Sequence, residues 1–172
     1  MSAVIAQKAA VSGDFDLDHQ PLIYPVTDLT GSWVGELPET FSILAGDEQG
    51  LDRRYLVPED FPWFLDWYLP YSEAASNLLT SPLLARENRL EDTPLATVVT
   101  TGFGPLGDQG YLYAKRLQDA GVDVHVDHYP TMIDDFLNME FLDDPYPDIP
   151  EAKAAKRYAG EALKAAFESA KD

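Results

Sequence analysis

The chain has 172 residues, of which 45% are hydrophobic and 12% aromatic, so it is long and apolar enough to fold as one globular domain. It carries 30 Asp and Glu against 12 Lys and Arg, a net charge of -18, which disfavours nucleic acid because that binding depends on cationic contacts to phosphates. Cysteine is absent, which excludes disulfides, thiolate zinc sites and cysteine nucleophiles.

The first part of the chain predicts a helix, a strand and an aromatic helix. Ser2–Val11 is rich in alanine and is followed by Ser12 and Gly13, which predicts a helix that stops there. Pro21–Val26 is a short apolar run between turn residues, typical of a buried parallel strand. Thr27–Gly50 is rich in glycine and predicts irregular structure. Pro58–Tyr71 has aromatic residues at helical spacing, and we expect their stripe to belong to the core rather than to a ligand cage.

The second part alternates strands with helices. Leu95–Thr101 is β-branched and predicts a strand, and Asp108–Ala120 predicts an amphipathic helix that ends at Gly121. Val122–Tyr129 alternates valine with aspartate and histidine, which predicts a strand with one wet face. Ile149–Ala170 predicts an amphipathic final helix. The order predicts an α/β fold with about three parallel strands flanked by helices.

The acidic residues are spread along the whole chain instead of forming a tail. This pattern favours a protein of a high-salt cytoplasm, where ions screen the self-repulsion, over an ordinary acidic bacterial protein. Met1–Val11 lacks the cleavage-site pattern of a signal peptide, and no run approaches the roughly 18 apolar residues of a membrane span. We therefore expect a cytoplasmic protein that does not insert into membranes.

Two segments near the ends of predicted strands carry the most information about function. Thr100–Asp108 reads Thr-Thr-Gly-Phe-Gly-Pro-Leu-Gly-Asp, and Met132–Met139 reads Met-Ile-Asp-Asp-Phe-Leu-Asn-Met. They resemble the late catalytic motifs of the hormone-sensitive-lipase-like branch of the α/β-hydrolase superfamily, G-x-D-P-L-x-D and x-x-H-G-F. Gly104 stands at the position of the catalytic acid, Asp134 at that of the histidine, and Asp135 at that of the glycine after it.

The resemblance extends from about Ala3 to Phe167. Leu22–Asp28 resembles the strand after the nucleophile helix, Ser81–Leu83 resembles the Ser-Pro-Leu before the acid-bearing strand, and Tyr113–Val122 resembles the helix and turn after the acid motif. It implies a partial α/β-hydrolase fold, one domain over residues 1–172. By the same resemblance, we expect the chain to match the C-terminal half of a carboxylesterase, beginning within the helix after the nucleophile.

The residues at the triad positions argue against the family's chemistry. The G-x-S-x-G motif that carries the nucleophile in this fold does not occur in the sequence, and neither does a His-Gly-Gly oxyanion motif. Gly104 has no side chain to orient a base. Asp134, with an ordinary pKa of about 4, is a poor proton acceptor from a serine. We therefore predict no complete triad in this chain and no cofactor.

Metal binding is a weaker alternative. Hard cations take carboxylate oxygens, and the acidic residues of the two motifs are Asp108, Asp134 and Asp135. A solvated acidic patch is the favoured interpretation of these residues. His125 and His128 point to opposite faces of the predicted strand, so a shared metal is not expected. His19 lies in a predicted loop with no partner visible in the sequence.

Three functions remain open. The chain is a non-catalytic structural or interaction protein, or a subunit of a split hydrolase whose nucleophile half is another chain, or a carboxylic-ester hydrolase on family analogy alone. In the family's sheet, the strand matching Pro21–Val26 pairs on its far side with the nucleophile-bearing strand. An open strand edge is a template for pairing, so we expect a homodimer or a complex with an N-terminal-half hydrolase chain.

Overall fold

The computed structural model describes residues 1–31, 61–104, 106–139 and 148–169. The helices of these residues are α1 (Ser2–Ser12), α2 (Phe61–Tyr68), α3 (Leu106–Asp119) and α4 (Pro150–Ser169), and the strands are β1 (Gln20–Ile23), β2 (Ala96–Phe103) and β3 (Val124–Ile133). Short 3-10 helices lie at Ser72–Ser76, Pro82–Leu84 and Glu87–Arg89. Most of the predicted irregular segment Thr27–Gly50 and the start of the predicted aromatic helix fall outside the described residues.

The three strands form one parallel sheet in the order β1-β2-β3, as predicted. Leu22 pairs with Val98, which pairs in turn with Val126. Strand β2 is central and buried along nearly its whole length, because helices cover both of its faces. Parallel strands joined by helical crossovers place their carboxyl ends on one edge of the sheet. The two motifs therefore meet at that edge.

Strand β1 is shorter than the predicted Pro21–Val26. It ends at Ile23 because the next residue, Tyr24, has a positive φ of 30°, a backbone conformation that turns the chain out of the sheet. The Tyr24 N–H still donates to the carbonyl of Val99 at 2.8 Å, so the turn starts with one sheet bond in place. Helices α1 and α3 end as predicted, at Gly13 and Gly121, whose φ values of 63° and 85° suit glycine.

The core has one cluster on each face of the sheet. On the first face, α1 and α3 pack against Val98 of β2, through buried residues that include Ala3, Leu112, Tyr113 and Leu117. On the second face, Val99 packs in a cluster with Ala152 and Ala155 of α4 and with Phe136 and Leu137 from the turn after β3. The even and odd residues of β2 thus serve different clusters, as the two-residue period of a strand requires. Among the described helices, none combines the length and apolarity needed to cross a membrane.

Two details differ from the sequence-based expectations. The aromatic residues of α2 and its C-terminal flank were expected in the core, but they are largely exposed, so that prediction is wrong: Trp63, Phe64, Trp67, Tyr68 and Tyr71. The wet face of β3 is confirmed only at its start. There His125 is exposed, whereas Tyr129 on the same face is half-buried. The ring of Tyr129 packs against Phe136, and the two ring centroids are 5.1 Å apart.

Candidate functional site

The two triad positions lie next to each other at the carboxyl edge of the sheet. Phe103, the last residue of β2, pairs with Ile133, the last residue of β3. Gly104 and Asp134 follow these two residues directly. A register shift between Thr101 and Phe103 marks the point where β2 ends its regular pairing. The prediction that Gly104 and Asp134 are neighbours at the strand ends is therefore confirmed.

The carboxyl group of Asp134 is held by two donors. The hydroxyl of Thr101 donates to Oδ1, and the backbone N–H of Leu106, the first residue of α3, donates to Oδ2 at 3.3 Å. The second bond satisfies one of the free N–H groups at the start of that helix, where a negative group is also favoured by the helix dipole. Asp134 thus connects the end of β3 with β2 and α3.

Burial changes the acidity of Asp134. Its side chain is only 2% exposed, and burial raises its pKa to about 6 although the bonds from Thr101 and Leu106 oppose the rise. The neighbouring Asp135 adds to the increase. Among the residues that the structure describes, no cationic group contributes to this shift. The sequence-based assumption of an ordinary acid with a pKa of about 4 is therefore corrected, because sequence does not show how deeply a turn residue is buried.

Gly104 has no room for a side chain in this arrangement. A Cβ atom added to Gly104 would lie 2.5 Å from Cγ of Asp134 and 3.0 Å from its Oδ1. Both distances are far shorter than ordinary carbon contacts of about 3.5–4.0 Å. The carboxyl group of Asp134 therefore occupies the volume that an acid side chain at position 104 would begin to fill.

Asp135 keeps the backbone conformation expected of a glycine. Its φ is 69°, in the left-handed region, which aspartate adopts more readily than most other residues. The side-chain amide of Asn138 donates to Oδ1 of Asp135 and supports the turn. Burial and the charge of Asp135 raise the pKa of Tyr24 to about 12, so its hydroxyl stays protonated at neutral pH.

The acidic residues do not form a metal site. Asp108 is buried in the first turn of α3, where its charge acts on His128. Asp134 instead bonds to Thr101 and Leu106. Across the described ranges, no three His, Cys, Asp or Glu side chains lie close enough to hold a metal ion. The weaker interpretation, in which Asp108, Asp134 and Asp135 bind a cation together, is therefore not supported. The favoured interpretation, a solvated acidic patch, is wrong for Asp108 and Asp134, because both side chains are buried.

The histidines are structural neighbours of β2 threonines. Nε2 of His19 lies 3.0 Å from Oγ1 of Thr97, and Nδ1 of His128 lies 3.0 Å from Oγ1 of Thr100. His125 and His128 lie opposite Thr97 and Thr100 in the register, on different faces, as predicted. Burial lowers the pKa of both His19 and His128. His19 thus has a partner that the sequence did not reveal, because it comes from a strand 78 residues away.

An apolar groove of about 370 Å³ opens on the same edge of the sheet. Its walls come from the start of α1, the loop after β1, helix α2 and the start of α3, and include Val4, Val26, Phe64, Tyr68 and Leu106. Leu106 is also the residue whose N–H bonds to Asp134, so the groove and the carboxyl group both adjoin the start of α3. The groove offers apolar surface and, apart from Thr80 and the Tyr68 hydroxyl, few polar side chains.

Gln109 is a structural residue of this edge that sequence analysis missed. Its Oε1 accepts hydrogen bonds from the N–H groups of Thr27 at 2.9 Å and Asp28 at 3.0 Å. The hydroxyl of Ser81, in the Ser-Pro-Leu motif, accepts from the N–H of Leu29 at 2.8 Å. These bonds fix the loop after β1. The signal available in the sequence was that Gln109 is a polar residue in the first turn of α3.

The three-stranded parallel sheet, with the acid and histidine positions at the ends of adjacent strands, has the architecture of part of an esterase-like α/β hydrolase. A family model described as alpha/beta hydrolase fold matches residues 1–138, and the chain belongs to that family. The resemblance to the hormone-sensitive-lipase-like branch is thereby confirmed.

The individual relatives are longer esterases. Carboxylesterase NlhH of Mycobacterium tuberculosis is 31% identical over 145 residues, which are 83% of this chain and 41% of that protein. Carboxylic ester hydrolase LipN of the same organism is 32% identical over 81% of this chain and 35% of its own length. The structure of a thermostable esterase from Pseudomonas putida ECU1011 superposes with a TM-score of 0.75 at 35% identity, covering 95% of this chain and 46% of that one. The chain therefore spans less than half of these relatives.

Proposed function

We propose that the chain is a catalytically inactive, esterase-related α/β-hydrolase protein with a structural or interaction role as an oligomer. The position of the Asp134 carboxyl group, in the space where a side chain at Gly104 would begin, supports this most directly. A triad needs an acid that orients an imidazole, and the imidazole takes the proton of the nucleophile. At these two positions the chain has a glycine and a buried carboxyl group.

The raised pKa of Asp134 does not make it a substitute base. A pKa of about 6 is in the range that general bases use, so the question is one of access. Both carboxyl oxygens already accept hydrogen bonds, from Thr101 and Leu106, and the side chain is 2% exposed. A serine or water would have to displace one of these donors before it could transfer a proton.

An esterase assay on the purified chain tests this proposal. We expect no hydrolysis of p-nitrophenyl acetate or butyrate above the buffer rate, with a full-length carboxylesterase as the positive control. The double variant Gly104→Asp/Asp134→His should also be inactive alone, because it restores the acid and base positions without a nucleophile. Turnover by the isolated chain that is lost after treatment with a fluorophosphonate would contradict the proposal.

A split hydrolase is the second candidate, and the edge of β1 favours it. Within the described residues β1 pairs with β2 only, so its outer edge carries N–H and C=O groups without strand partners. An N-terminal-half chain bearing G-x-S-x-G would continue the sheet there. Mixing the two chains tests this: a stable complex on size-exclusion chromatography with new esterase turnover would favour the split enzyme. A complex without turnover would favour the interaction role.

A further inference from the structure

We propose that Gly104 and Asp134 form one structural pair, in which the carboxyl group of Asp134 fills the space above Gly104 and fastens the ends of β2 and β3 to the start of α3. This Gly104–Asp134 pair deepens the proposed function by giving the triad positions a role in stability. The pair rests on the proposed function in one respect, because it assumes that the two residues take no part in catalysis.

The geometry makes the two residues mutually dependent. Any side chain at position 104 meets the carboxyl group of Asp134 within 3.0 Å. That group is the end of a side chain and could rotate, but it would then leave the hydroxyl of Thr101 and the N–H of Leu106. Both donors lie in buried surroundings, and a buried donor without a partner is costly. Glycine at 104 is therefore a condition for the bonds that Asp134 makes.

The pair also explains why a substitution to the family's residue at only one of the two positions should destabilise the protein. Gly104→Asp alone would place two carboxyl groups in one buried volume, with overlap and like-charge repulsion. Asp134→His alone would remove the acceptor for Thr101 and Leu106 without providing an acid for the imidazole. Each single step toward the family pattern is therefore expected to cost stability.

A double-mutant cycle measures this dependence. The four proteins are the wild type, Gly104→Ala, Asp134→Ala and the double variant, and the readout is the thermal midpoint Tm. Gly104→Ala should lower Tm by at least about 4 °C in the wild type, corresponding to more than 1 kcal/mol for a chain of this size. In the Asp134→Ala background the same change should lower Tm by less than half as much, because the obstructing carboxyl group is gone.

Gly160→Ala is the matched control. A Cβ at Gly160 in α4 meets nothing within 4 Å, so this substitution should give the same Tm change in both backgrounds. If Gly104→Ala alone does not fold, recovery of a cooperative melt in the double variant supports the pair, and equal failure to fold contradicts it. Additive Tm changes also contradict it.

Hydrogen exchange gives a second readout. In Asp134→Ala the amide of Leu106 loses its acceptor, so its exchange should accelerate at least about tenfold relative to amides in the middle of α3. Unchanged protection of Leu106 would overturn the role assigned to Asp134. Neither measurement depends on esterase turnover, so the two proposals can fail separately. If the Tm changes of the two substitutions are additive and the chain has no esterase activity, only the Gly104–Asp134 pair is rejected. If the Tm changes are coupled and the chain has genuine esterase turnover, only the inactive function is rejected.

Discussion

Helices α2 and α3 both carry an apolar stripe at helical spacing, and the sheet buries only one of them. In α3, Leu112, Tyr113 and Leu117 are at most 6% exposed, because they lie against β2 and α1. In α2, Trp63 and Trp67 are 60% and 79% exposed. The comparison teaches that periodicity shows which residues share a face of a helix. What covers that face depends on neighbours that the pattern does not contain.

The largest effect should follow from truncating the buried stripe. Leu117→Ala removes a side chain that is 0% exposed and leaves a cavity beneath the sheet, so we expect a loss of about 2–5 kcal/mol in the free energy of unfolding. Leu79→Ala is the matched control, since Leu79 is 52% exposed and should change stability by no more than about 0.5 kcal/mol. Urea titration measures both. Equal losses would show that the difference in burial between Leu117 and Leu79 does not decide stability.

The next effect concerns the buried carboxyl group beside α3. Burial raises the pKa of Asp134 in the folded protein to about 6, above the ordinary value of 3.8, so protonation at low pH favours folding. The unfolding free energy should therefore fall by up to about 3 kcal/mol as pH rises from 4 to 7, as far as this group contributes. Asp134→Asn should flatten that slope, whereas Asp123→Asn, at an exposed position, should not. An unchanged slope in Asp134→Asn would contradict the assignment.

Salt should act on the exposed surface and leave the buried contributions alone. The net charge of -18 repels itself in the compact state, and the screening length falls from about 10 Å at 0.1 M salt to about 3 Å at 1 M. We expect Tm to rise between 0.1 M and 2 M KCl, by a similar amount in the wild type and in Leu117→Ala. A flat or falling Tm would count against the salt-adapted interpretation. Adaptation of this chain to high salt stays a prediction until this measurement is made.

Sequence analysis predicted the parts of the fold that depend on local patterns. The parallel sheet and the glycine ends of α1 and α3 follow from periodicity and from the turn residues, whereas the proximity of Gly104 to Asp134 is what the family resemblance implied. The early end of β1 depends on one backbone angle at Tyr24, which side-chain pattern does not encode.

Long-range contacts account for the rest. The bonds of Asp134 to Thr101 and of His19 to Thr97 join residues 33 and 78 positions apart. Three buried threonines of β2 each bond a polar side chain from a neighbouring segment: Thr97, Thr100 and Thr101. A β-branched strand gives no sign of which of its threonines will find such a partner.

The smallest effect on folding, and the most informative about partners, should come from Trp67→Ala. Because Trp67 is 79% exposed, its removal should change the free energy of unfolding of the isolated chain by no more than about 0.5 kcal/mol. If the aromatic face of α2 and the open edge of β1 form an interface between copies, the same variant should weaken association strongly, since tryptophan is enriched among the residues that dominate interfaces. Light scattering at micromolar concentration in molar KCl measures this, with Lys115→Ala, an exposed change on α3, as the control.

A wild type that is wholly monomeric in the absence of a second chain would reject the homodimer and leave an N-terminal-half hydrolase chain as the partner to test. A dimer that Trp67→Ala does not weaken would place the contact elsewhere, and α2 would then be an exposed aromatic helix whose covering surface is still to be found.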